Sequence, residues 1–136
     1  MARVGHHRNR GRRGVAATEF AVCLPVLMLL LLGMLEACTM IFLKQSLAVA
    51  AYEGAHTALT AGATDSDVQR VCQAILDDRR VQGGTVEIIP GSLRLINEGE
   101  YLEVRVSAPT DANAILPVRF FRGMTLRSSA RMMMEL

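Results

Sequence analysis

The side chains of this 136-residue chain that could do chemistry are few and widely spaced. Cys23, Cys38 and Cys72 do not make a disulfide framework, and all three read as small buried hydrophobes. His6 and His7 stand near the N-terminus and His56 stands alone, so no Cys/His spacing suggests a metal. There is no G-x-S-x-G, no phosphate-binding glycine loop and no plausible triad. The reading is no catalytic residue, no metal, no cofactor, no small-molecule substrate, and no enzyme. One arrangement stands out. Gly14 precedes a long apolar run, and Glu19, a lone carboxylate, stands five residues on at the mouth of that run. A secretory signal puts its cleavage site after the apolar run, at A-x-A spacing. Here the glycine lies before it.

The element that must position these residues is the run itself. Phe20 to Leu43 is 24 residues with one charge, Glu36. About 20 apolar residues in a helix cross the hydrocarbon core of a bilayer, so residues 15–43 are read as a transmembrane helix. Pro25 lacks an N–H and frees the carbonyl of Ala21, which predicts a bend or loosened turn. Gly33 permits close helix approach. Glu36 follows Glu19 by 17 residues, roughly 26 Å along a helix. It is read either as a carboxylate at the far interface or as a packing or assembly residue.

Charge sets the orientation. Residues 1–14 hold Arg3, Arg8, Arg10, Arg12 and Arg13 and no acid, while the remainder holds ten basic and thirteen acidic side chains. A basic block abutting an apolar run reads as a topology signal rather than a nucleic-acid arm. It keeps the leader in the cytoplasm and sends the C-terminal part across the membrane.

The residues at this junction resemble the TadE-like family, pseudopilins of the Tad (Flp) pilus system with a type IV pilin-like N-terminus. The resemblance lies in R-R-G at 12–14, Glu19-Phe20, Leu24-Pro25, G-M-L-E at 33–36 and A-Y-E-G-A at 51–55. Tyr52 departs from the basic residue typical before Glu-Gly-Ala, and His56 stands where an arginine is common. The resemblance implies cleavage by a prepilin peptidase after Gly14, leaving Val15 as the new N-terminus. The new α-amino cation would sit one helical turn from Glu19, in its own chain or in a neighbouring subunit. Pairing with the neighbour, which sets register, is what the resemblance favours. Otherwise Glu19 is an interfacial residue snorkelling to water.

Downstream, L-A-V-A-A-Y-E-G-A-H-T-A-L-T-A continues the helix over 44–61, with Leu47, Ala50, Ala51, Ala55, Ala58 and Leu59 on one stripe and Gly62 as its stop. A second helix is predicted over 66–80, capped by Ser66-x-x-Gln69 and packing through Val68, Val71, Cys72, Ile75 and Leu76. From Thr85 the period becomes two. Strands fall within 85–108 and 123–135, with one at Leu93 and Leu95, a hairpin turn at Asn97-Glu98-Gly99 and a loop from Pro109 to Pro117. Phe120-Phe121 reads as loop packing or an exposed contact. The fold class is α+β: a long N-terminal helix, a short second helix and a small antiparallel sheet, pilin-like, with 44–136 as an extracytoplasmic domain.

The function expected is that of a membrane-held minor pseudopilin assisting Tad pilus assembly or secretion, in the bacterial inner membrane. Its partners would be the lipid bilayer, the prepilin peptidase, other pilins or pseudopilins and the Tad machinery, with no nucleic acid. Two alternatives stay open. One is an uncleaved single-pass envelope protein with an outer interaction domain. The other is a lipoprotein acylated at Cys38, since Leu35-Glu36-Ala37-Cys38 loosely matches a lipobox.

Overall fold

A computed structural model describes residues 11–115 and 120–135, with side chains from residue 14 onward. The leader up to Arg10, and Pro117 of the loop expected over 109–117, lie outside them. The chain divides into two compact units, Met1–Met34 and Leu35–Leu136. Helix α1 (Gly11–Ala58) supplies the whole described part of the first unit and the opening helix of the second.

In the first unit every described side chain from Gly14 to Leu31 is exposed. Val15, Phe20, Val22, Leu29 and Leu30 are among them, so this helix is apolar without a sheltered face. Such a helix requires an apolar environment around it. The helix runs unbroken through Pro25 and starts at Gly11, ahead of Val15. No proline precedes the run to stop the helical hydrogen bonds from extending back through Gly14.

In the second unit α1 becomes one-sided. Glu36, Met40, Leu43, Leu47, Ala50, Ala51, Ala55 and Ala58 are buried at spacings of three and four. The inner face of an antiparallel meander lies in the same core, in the order β1 (Thr85–Ile89), β2 (Tyr101–Pro109), β3 (Thr125–Met133). The central strand alternates strictly: Leu102, Val104, Val106 and Ala108 are buried, while Tyr101 is exposed and Glu103, Arg105, Ser107 and Pro109 are half-buried. Register places Leu102 opposite Met132, Val104 opposite Ala130 and Val106 opposite Ser128. The polar alternates Glu103, Arg105 and Arg131 go to the outer face, where Arg105 pairs with Glu103 at 2.9 Å and Arg131 stacks on the Tyr101 ring.

Helix α2 (Asp65–Asp78) closes the core with Val68, Cys72 and Leu76, all buried, and with Ile75 packed half-buried beside them. Its cap sits two residues earlier than the sequence suggests. Thr64 is the N-cap, and its capping box is closed by Asp67 rather than Gln69. This placement leaves Asp65 in the first turn, free to accept from Ser92 Oγ at 2.6 Å and the Leu93 N–H at 2.8 Å. That capture explains the one missing strand: Leu93–Leu95 forms a short 3-10 turn because its backbone donors are taken by Asp65 and Ser92 rather than by a neighbouring strand. At the other end, the Arg80 N–H donates to Asp77 and the Val81 N–H to Leu76, with Arg80 left-handed at φ 56°. The chain thereby turns out of α2 in a Schellman arrangement.

Candidate processing and assembly site

Gly14, Val15, Glu19, Phe20 and Pro25 all stand on α1 within the first unit. Val15 and Glu19 are four residues apart and therefore share one face. Both are exposed, as is Phe20. Thr18 Oγ1 donates to the Gly14 carbonyl at 2.6 Å, one turn back along the helix. Among the described residues no donor reaches the Glu19 carboxylate. The arrangement is therefore a row, the Gly14–Val15 peptide then acid then aromatic, exposed along an apolar helix. Cys23 and Cys38 are exposed in this structure. The small-buried-hydrophobe reading fails for them and holds for Cys72 alone. Cys23 stands on a helix whose described side chains are exposed all round, and Cys38 stands on the uncovered face of α1 in the second unit.

Glu36 belongs to the second unit. Only 1% of it is exposed, and its Oε2 accepts the Phe120 N–H at 3.0 Å. The structure therefore sets Glu36 apart from the row at 14–25. The strand β2 leads into a four-residue turn, α3 (Thr110–Asn113), and Phe120, beside this carboxylate, stands five residues before β3. Thr110 Oγ1 lies 2.6 Å from the Phe121 carbonyl and 2.9 Å from that of Met124, while its N–H donates to Met124. Asp111 accepts the Gly123 N–H at 3.2 Å. Phe121 is half-buried under this bracing and Phe120 is exposed, so the pair does both things the sequence left open. A buried carboxylate without a donor would be costly; the backbone of Phe120 provides one.

Two details escape sequence reasoning: what Gly54 faces, and what the Cys72 thiol donates to. Gly54, inside A-Y-E-G-A, faces Cys72, Val104 and Val68, and a methyl group there would overlap the Cys72 thiol. The glycine lets α1 approach α2 and β2 closely. Cys72 Sγ donates to the Ala50 carbonyl at 3.3 Å, and burial pushes its thiol up to about 11. It is an inert thiol at neutral pH. A glycine inside an alanine-rich helix was the available signal, but which partner it accommodates depends on residues 18 and 50 positions away.

Comparison with known proteins bears on the same stretch. The family model described as TadE-like protein matches residues 14–56. It begins at Gly14, takes in Glu19, Phe20, Pro25, Glu36 and Gly54, and ends two residues before the end of α1. It therefore bears out the resemblance read from residues 12–56. No curated protein and no solved structure matches the chain.

Proposed function

We propose that the chain is a minor pseudopilin of the TadE type, a structural component held in the bacterial inner membrane that assists Tad pilus assembly or secretion. The observation that carries the reading is the family match over 14–56, which falls on an apolar helix continuing directly into a small α+β domain. A prepilin peptidase cuts after Gly14. The Gly14–Val15 bond lies in a helical turn, so cutting it requires local opening, and a glycine lowers the resistance of that turn.

Residues 15–35 form the lipid-facing segment. Twenty-one helical residues rise about 31 Å, against a hydrocarbon core of about 30 Å. Burial by the domain begins at Glu36. The run read from hydropathy as 15–43 then divides into a lipid-facing part and a part whose inner face the protein covers. The basic leader stays in the cytoplasm and the domain is periplasmic. The lipoprotein alternative fits this arrangement poorly, because cleavage before Cys38 would remove the Glu36 carboxylate that holds Phe120.

Once cut, Val15 carries an α-amino cation and Glu19 is its nearest carboxylate along the helix. In the membrane an unpaired charge of either sign costs about 2.5–3.5 kcal/mol at the bilayer centre. Pairing the amine of one subunit with Glu19 of another offsets that and fixes register with other pilins or pseudopilins. The test is crosslinking from the mature N-terminus in wild type and Glu19→Gln, at matched membrane levels and with cleavage verified in both. Loss of crosslinks to the partners is expected in the variant. Unchanged crosslinks with normal piliation would remove Glu19 from assembly.

A further inference from the structure

The reading above leaves unused the segment that Glu36 holds. Among the described residues of Leu35–Leu136, eleven large apolar side chains are exposed, and six gather at one end: Leu35, Ile41, Phe42, Ile115, Phe120 and Met124. Three observations bring them together. Glu36 binds the backbone of Phe120. Phe42 and Ile115 line one cleft, and Ile41 and Met124 line an apolar groove of about 380 Å³. Ile115 is 79% exposed, the most exposed large apolar side chain among the described residues.

Basic groups stand beside these apolar side chains. Arg79 and Arg80 line the same cleft as Phe42 and Ile115, with one carboxylate, Asp78, beside them. Arg122 is exposed next to Phe121. Among the described residues none of these three arginines is in an ion pair. Apolar side chains next to guanidinium groups are what an interfacial membrane contact requires: the first enter the acyl boundary, the second reach the phosphates. The chain itself says which end faces lipid, because α1 enters this unit at Leu35, directly after the apolar run.

We propose that this end of the domain is a second, peripheral membrane contact: Ile115 and Phe120 lie in the interfacial layer of the bilayer that α1 enters, with Arg79, Arg80 and Arg122 at its phosphate groups. The inference rests on the membrane reading above. It gives Glu36 a positioning role, since its carboxylate turns inward to the Phe120 N–H and presents the phenyl ring outward. The carboxyl group is thereby kept from the lipid while the Phe120 side chain stays exposed.

The chain contains no tryptophan, so single substitutions report position directly. Full-length protein is placed in phosphatidylethanolamine–phosphatidylglycerol vesicles containing lipids brominated at shallow or deep positions. Leu30→Trp reports the span, Ile115→Trp the loop, and Tyr101→Trp the other end of β2, about 26 Å along the strand from Pro109. Phe120→Trp repeats the loop measurement should Ile115→Trp fail to fold. Quenching by deep bromines is expected for Leu30→Trp, by shallow bromines with a blue-shifted emission for the loop positions, and none for Tyr101→Trp. A quenched Leu30→Trp with unquenched, water-like emission at 115 and 120 overturns this proposal and leaves the membrane reading standing. No quenching at any position overturns both. A loop tryptophan that bromine does not quench, but that becomes shielded as protein concentration rises, means a second copy covers this end, and overturns the lipid assignment.

Discussion

Gly54 has little freedom to change, because a methyl group there would meet the Cys72 thiol, with Val104 Cγ1 also only 3.2 Å away. Overpacking of this kind costs about 1–3 kcal/mol, while alanine returns about 1 kcal/mol of helix propensity. Gly54→Ala should therefore lower the Tm of the full chain in detergent micelles. Adding Cys72→Ala makes room for the methyl, so the double variant should be more stable than the sum of the two single losses. Strict additivity would mean that Gly54 is not held by the thiol. At the same scale, Glu36 illustrates why a residue in a sequence motif needs a structure. Its spacing from Glu19 fits an interfacial acid, yet its partner is a backbone N–H 84 residues away.

At the scale of elements, α2 is held to the rest of the domain at both its polar start and its apolar stripe. Ser92 Oγ and the Leu93 N–H, donating to Asp65, hold its carboxyl below the ordinary aspartate range. Thr64, through its hydroxyl and its N–H, does the same for Asp67. A depressed folded-state pKa means that the unfolded chain binds more protons in the interval between the two values, so stability rises with pH there. The contribution is complete above the unfolded value of about 4 and is lost as pH falls through the lower folded value. Thermal melts of wild type and Asp65→Asn should differ at pH 7 and converge as pH drops below about 4; a gap independent of pH would detach Asp65 from the anchoring of α2. Periodicity made most of this layout legible, because Val68, Cys72 and Leu76 and the β2 alternates repeat at 3.6 and at 2. The strand expected at Leu93 and Leu95 was not legible, because two leucines flanking Arg94 alternate like a strand while a remote carboxylate decides their backbone. The α2 cap shifted for the same reason: T-D-S-D offers several caps, and the tertiary bonds of Asp65 select one.

At the scale of the whole molecule, the match at 14–56 covers the helix that would be processed and inserted, while the β-sheet lies wholly beyond it. The site was legible as a row of residues on one helix, since every member lies within a few turns of the next. What sequence could not supply was the shelter of Glu36, which depends on the backbone of Phe120, between β2 and β3. The central claim is that this row is a processing site and that the mature protein begins within it, after Gly14. Its most direct test is the intact mass and N-terminal sequence of the protein extracted from membranes of cells that possess the prepilin peptidase and of cells that lack it. The account predicts a chain starting at Val15 in the first and one retaining the leader in the second. A chain starting at Met1 or Ala2 in the presence of the peptidase, or one starting at a lipid-modified Cys38, would contradict it.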